Sequence, residues 1–138
     1  MSLTYKQAVD DINKILLDVT NPYGVKVHWE NVRDQRDPSQ EAWVQFVIRH
    51  ASGRQTSLGG AGSRNFEREG TAIAAIFTPV GKGLSESYDL AKTIADAYEG
   101  VTSPNGVWFR NVRIQEIGRD GEFHQTQVLI EFEYYETK

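Results

Sequence analysis

Residues Ile76–Ser87, IFTPVGKGLSES, place a glycine–lysine turn between an apolar strand pattern and a helix pattern. That order is how a P-loop cradles phosphate, with backbone amides around the anion and a lysine reaching over it. The full motif needs G-x-x-x-x-G-K-[ST]. With Gly81-Lys82 as its last glycine and lysine, Ile76 stands at the first glycine and Gly83 at the magnesium-holding hydroxyl. Pro79 removes one amide as well. The spacing therefore predicts a glycine-hinged turn opening a helix, whose N-terminus still attracts anions beside Lys82.

Other chemistry-bearing residues do not converge either. His28, His50 and His124 lie far apart, none at i, i+4 from another ligand type, and there is no cysteine to supply a thiolate. Asp120-Gly121-Glu122 is too short for a calcium loop. Gly62-Ser63 lacks the flanking glycines of a nucleophile elbow. Asp10-Asp11 fall on the polar face of a helix pattern, where solvation explains them. The expectation is no catalytic residue, no cofactor and no metal.

The elements that would carry any site are clearer. Thr4 and Gln7 form a capping-box pattern, and Ala8, Val9, Ile12, Ile15, Leu16 and Val19 follow on one helical face. Asn21-Pro22 ends that helix, because a residue before proline avoids the helical region. Gly24 lets the chain turn into a short strand over 25–29. The charged stretch 30–41, with Pro38, reads as a loop. Ala42–His50 alternates as a strand, with Val44, Phe46 and Ile48 on one face and Trp43, Gln45 and Val47 on the other. Ser52-Gly53 breaks it, and Arg54–Leu58 resumes as a hairpin partner. Thr71–Phe77 is apolar or small on both faces, the pattern of a central strand covered on both sides.

A second helix begins near Gly83. Leu84, Tyr88, Ala91, Ala95 and Tyr98 recur at helical spacing, and Gly100 suits a left-handed C-terminal position. Strands over 112–117 and 122–135 are joined by a turn centred on Asp120-Gly121. In the last strand Val128, Ile130, Phe132 and Tyr134 form a core face. Its other face is wet or meets a partner. The order predicts a single-domain α+β fold over residues 1–138, two helices on a mostly antiparallel sheet.

Composition sets outer limits. At 138 residues the chain buries roughly two-thirds of its unfolded surface without staples. A hydrophobic share of 39% and a charged share of 25% are ordinary for a globular domain. The net charge of −4 argues against non-specific binding to nucleic acid or anionic membranes. The first residues, MSLTYKQAVDD, show no apolar signal core, and no run of eighteen apolar residues exists.

Two features exceed what a bare scaffold needs. Gly59–Gly70, GGAGSRNFEREG, reads as a long glycine-rich hairpin loop carrying Arg64, Phe66 and Arg68. Ordering such a loop costs roughly 1–2 kcal/mol per residue, so it is expected to be mobile until a partner orders it. The outward face of the last strand mixes Leu129 and Tyr135 with Glu131 and Glu133, a composition that suits contact with another subunit.

NFEREGTAIAAIFTPVGKG, the helix SYDLAKTIADAYEG and VRIQEIGRDGEFHQTQVLIEFEYYE together resemble the tail-terminator-like (minor tail protein U-like) proteins of long-tailed phages and prophages. The matching features are Arg68 before the central strand, Thr78-Pro79 with Gly81 and Gly83 before the second helix, and the closing strand Val128–Glu136. The first helix and the AWVQFVIRH strand fit in order and spacing, so the resemblance covers nearly the whole chain. It implies a structural protein and not an enzyme. Such proteins form a ring, typically six-membered, that caps the tail tube, stops its polymerisation and meets the head connector. Implied partners are copies of the chain itself, the tail-tube protein and the head–tail connector protein, with no sequence-specific nucleic acid and no membrane. The implied location is the host cytoplasm during assembly and then the virion tail. Arg64, Phe66, Arg68, Leu129, Glu131, Glu133 and Tyr135 are the expected subunit or tube contacts. Two other classes stay open: a small-ligand domain with a pocket lined by Trp29, Trp43, Tyr88 and Tyr98, and an enzyme acting on a phosphorylated substrate at Lys82.

Overall fold

The computed structural model describes residues 3–23, 25–30, 42–81 and 84–138, apart from the Asp120 side chain. The Gly24 turn, nearly all of the 30–41 loop and the Lys82-Gly83 pair lie outside the described residues.

The first helix, α1 (Tyr5–Thr20), starts on the expected capping box. Gln7 N–H donates to the Thr4 hydroxyl at 3.2 Å, and Thr4 N–H donates to the Gln7 side chain at 3.0 Å. Ala8, Ile12, Leu16 and Thr20 are its buried stripe. The helix ends in a single 3-10 turn over Asn21–Tyr23, as Pro22 requires. Five strands follow: β1 (Lys26–Trp29), β2 (Trp43–Gln55), β3 (Asn65–Pro79), β4 (Trp108–Asp120) and β5 (Phe123–Thr137). The second helix, α2 (Ser85–Tyr98), lies between β3 and β4. The sheet order is β1-β2-β3-β5-β4. The β1–β2 pair is parallel and the rest are antiparallel. This is the expected α+β architecture.

The helices cover one face of the sheet. Val44, Phe46, Ala72, Ala74, Ile76, Val128, Ile130, Phe132 and Tyr134 join the α1 and α2 stripes in the main core. β3 is central, as expected, and both its faces are buried from Ala74 to Thr78. Among the described residues, the open face carries a smaller cluster of Trp43, Ala75, Phe77 and Phe123.

Several boundaries differ from expectation, and β4, for one, spans Trp108–Asp120 and not 112–117. Ser52-Gly53 does not end β2, because a bulge between His50 and Ser52 carries the strand on to Gln55. Its hairpin partner is therefore β3, not Arg54–Leu58. Residues 65–70 belong to β3, paired with β2 on one side and β5 on the other, so the loop is 56–64 and not 59–70. The long β5 supplies ladder partners that polar residues such as Glu67 and Arg68 do not advertise. The β4–β5 turn also falls one residue later, on Gly121-Glu122, with Gly121 at φ 62°.

The stripe of α2 is rotated from the sequence reading. Ser87, Leu90, Ala91, Ile94, Ala95 and Tyr98 are buried. Leu84 and Tyr88 are exposed.

Candidate assembly surfaces

Beyond His50 the sheet outruns its helices. Every β2 residue from Ala51 to Gln55 is exposed. These residues, the start of β3 and the end of β5 make a three-stranded arm, closed at its tip by loop 56–64. The tip is tied by Thr56 N–H to Asn65 O at 2.8 Å and by mutual backbone bonds between Arg64 and Lys138 at 2.9 and 2.8 Å. A turn with Ser63 N–H on Gly60 O at 3.0 Å, and Gly62 at φ 89°, completes it.

The helix-side surface of the arm is held by Arg68. Its guanidinium donates to one Glu136 carboxylate oxygen at 3.1 and 3.3 Å and stands over the Phe66 ring at 5.1 Å. Gly53 leaves room for it, since a Cβ there would come within 2.4 Å of Arg68 Nη1. Next inward, His50 Nε2 and the Tyr134 hydroxyl are 2.8 Å apart, and Tyr5 stacks on the imidazole at 4.0 Å. Arg68 and Phe66 thus brace the arm from within.

His50 has a pH consequence. Burial first, and the Arg68 charge second, lower its pKa. Phe132 packs edge-on at 5.2 Å, and Nδ1 is enclosed without a protein hydrogen-bond partner, so an imidazolium would bury an unsatisfied N–H. The unfolded chain takes up this proton near pH 6.5. The folded chain does so only at lower pH. Stability carried by neutral His50 is full above that value and is lost as pH falls toward the folded one. We expect the urea midpoint to drop less between pH 7 and pH 5 in His50→Gln than in the native chain. Equal drops would show that His50 titrates as it does in water.

The open face of the arm is an ionic cluster. Arg54 pairs with Glu67 at 3.1 Å, and Arg110 pairs with Glu69 at 3.1 Å and with Glu133 at 3.0 Å. Ser52 donates to Glu69 at 2.7 Å. Glu133 is only 5% exposed. Its burial, and then its hydrogen bond with Glu67, raise its pKa. The same hydrogen bond, followed by that from Arg54, lowers Glu67. Tyr135 meets Trp108 edge-on at 5.7 Å. Leu129 and Glu131 border a depression of about 70 Å³ with Thr71, Asn111 and Arg113. The outward face of β5 is therefore half-covered by β4 and not simply wet.

The seven expected contact residues fall into two groups. Arg64, Phe66 and Arg68 sit toward the arm tip. Leu129, Glu131, Glu133 and Tyr135 run along the open face of β5. Sequence reasoning missed Trp108 and Arg110, whose link to Glu133 depends on the β4 bulge between Phe109 and Asn111.

The rival sites do not assemble. Tyr98 is core, Trp43 stacks on Phe77 at 4.1 Å on the open face, and Tyr88 is exposed on α2. A cavity of about 490 Å³ includes Trp29 but none of the other three, and it opens beside Glu30. Arg64 and Arg68 lie near the Asn65–Thr137 end of the β3–β5 ladder, whereas Val80 and Gly81 follow its Pro79–Phe123 end, and the expected Lys82 site lies outside the described residues. Fourteen residues of strand separate those ends, about 45 Å. Among the described residues, no three His, Asp or Glu side chains group to hold a metal, and no helix is long and apolar enough to cross a membrane.

The described residues thus form one α+β sheet, covered by two helices on one face and extended by a projecting ionic arm. The family model described as phage tail terminator protein matches residues 8–126, and the chain belongs to that family. The family is structural rather than catalytic, and its members are components of the virion tail. A solved structure of a protein carrying only a serial designation superposes with a TM-score of 0.69 at 16% identity, over 99% of this chain and 97% of that one. At that identity it shows the shared fold alone. No curated protein matches.

Proposed function

We propose that the chain closes into a ring, six-membered, at the end of the phage tail tube, stops tube polymerisation and presents a surface to the head–tail connector. The observation that carries this reading is membership of the tail terminator family across residues 8–126. Ring closure needs heterologous contacts, in which one patch of a subunit meets a different patch of the next. The arm offers one such patch and the open face of β5 a further docking surface, and Arg64, Phe66, Arg68, Leu129, Glu131, Glu133 and Tyr135 contribute to subunit or tube contacts. Arg68 acts through the posture of the arm, since its charge is already spent on Glu136. The protein works without cofactor or catalysis, in the host cytoplasm during assembly and then in the tail of a phage or prophage particle.

Leu129→Glu tests the β5 face. The new carboxylate stands beside Glu131 and Glu133 on a half-buried site at the surface. The fold is retained, and docking is opposed by repulsion and by desolvation of a charge. The variant is supplied to a phage lacking its own terminator, and tails are examined by electron microscopy. Overlong tubes with an unchanged melting temperature are expected. Tails of normal length with both Leu129→Glu and Arg68→Ala would remove this face and the arm brace from the interface.

A further inference from the structure

Loop 56–64 and the β4–β5 turn occupy opposite ends of the molecule, and each exposes apolar surface. Leu58 at the arm tip is 106% exposed, touching nothing of its own chain. At the other end, α2 carries Leu84 (37%) and Tyr88 (39%) past β4, where Ile114 is 41% and Ile117 47% exposed. Tyr88 lies close enough to Glu116 for that carboxylate, after burial, to raise the pKa of its hydroxyl, which fixes α2 against this stretch of β4. Ile114 faces the helix side, since its partner Val128 is core, and Ile117 is the bulged residue between Glu116 and Gly118. Among the described residues β4 is also an edge strand, and beyond the Thr102–Trp108 bridge its outer backbone invites a partner.

We propose that Leu58 of one copy seats on the Leu84–Tyr88–Ile114–Ile117 patch of a second copy, forming the head-to-tail contact of the ring. The inference rests on the ring reading above and names its joint. Charge favours the pairing. Among the described residues Glu116 lies beside Tyr88 and Glu122 follows in the β4–β5 turn, against Arg119, which already donates to Gly121 O at 3.1 Å, while Lys92, one turn along α2 from Tyr88, is paired with Asp96 at 2.9 Å. The tip carries Arg54, Arg64 and Lys138, against Glu67. Opposite potentials fix orientation and disfavour tip-to-tip or patch-to-patch docking. Reach excludes an internal version of the contact. Ile114 is level with Val128, and the tip lies beyond Thr137, nine residues farther along β5. That is about 30 Å at the rise of a strand. One tip and one patch per copy, at opposite ends, make a heterologous contact that either closes a ring or propagates a filament.

The chain has no cysteine, so engineered ones report unambiguously. Leu58→Cys and Ile114→Cys chains, distinguishable by a mass tag, are mixed at high concentration and oxidised. Both positions are exposed, so folding is preserved, and matched melting curves confirm it. The mixed dimer is expected at about a tenfold excess over either homodimer and over Leu58→Cys paired with Gln45→Cys, an exposed control on the open face. The double variant Leu58→Cys/Ile114→Cys should give a ladder of covalent oligomers. Mixed dimers no more abundant than the control, or a dominant Leu58→Cys homodimer, would overturn the contact. Tail length is scored separately on the same variants under reducing conditions. A chain that limits tail length but does not trap keeps its proposed function and loses this joint.

Discussion

Replacing Gly70 with alanine is expected to lower stability by about 3 kcal/mol, the upper part of the usual range for overpacking. Gly70 lies opposite His50 on β2 and Phe132 on β5, at the point where the arm leaves the helix-covered sheet. A Cβ built there comes within 2.2 Å of Arg49 O, 2.8 Å of His50 Cα and 2.8 Å of Phe132 Cζ. Two of those three atoms are backbone, so no side-chain rotation relieves the clash. The β2–β3 ladder must spread where the β2 bulge already interrupts it. The phenylalanine contact can be separated from the rest. Shortening Phe132 should not rescue Gly70→Ala, because the strand backbone remains in the way. Chemical denaturation of both variants measures this. A loss below about 0.5 kcal/mol, ordinary for a surface substitution, would mean that the sheet opens freely here.

The second large effect is at Tyr98. It is fully buried, meets Phe109 edge-on at 5.0 Å and donates its hydroxyl to Ile12 O at 2.7 Å, tying α2 to α1. Tyr98→Ala removes a whole ring from the junction of both helices and the sheet. We expect a loss of about 3–5 kcal/mol, the range for emptying a buried aromatic site. Tyr98→Phe keeps the ring and deletes only the hydrogen bond. Ile12 lies within α1, where the helix supplies a donor four residues on, so its carbonyl is not orphaned. That variant should cost about 1 kcal/mol. Equal losses in the two variants would place the energy in the hydroxyl and not in packing.

Much of this architecture is legible in the residues. The Thr4–Gln7 box and the Ala8–Ile12–Leu16 stripe specify α1 because cap and period agree. The alternation Val128–Ile130–Phe132–Tyr134 fixes the register of β5, since a one-residue slip would expose the whole set. The arm is not legible. Glu67 and Arg68 look like loop residues, and they form strand because three chain segments are long enough to pair. Tertiary context decides strand formation there, and local propensity does not. The α2 phase was misread for a related reason. Leu84 is as apolar as Leu90, and only the packed sheet reveals which of the two turns inward. Of the candidate surface, the β5 face was readable as apolar residues out of place. Its cover by Trp108 and Arg110 was not, because the β4 bulge that aims them leaves no mark in a single sequence.

Tail length in the phage or prophage that encodes the chain tests the central claim most directly. The measurement is the length distribution of tails, by electron microscopy, with the gene deleted and with the native chain supplied from a second copy. We expect overlong, heterogeneous tubes without the chain and a single restored length with it. Tails of normal, uniform length without the chain would contradict the terminator function outright.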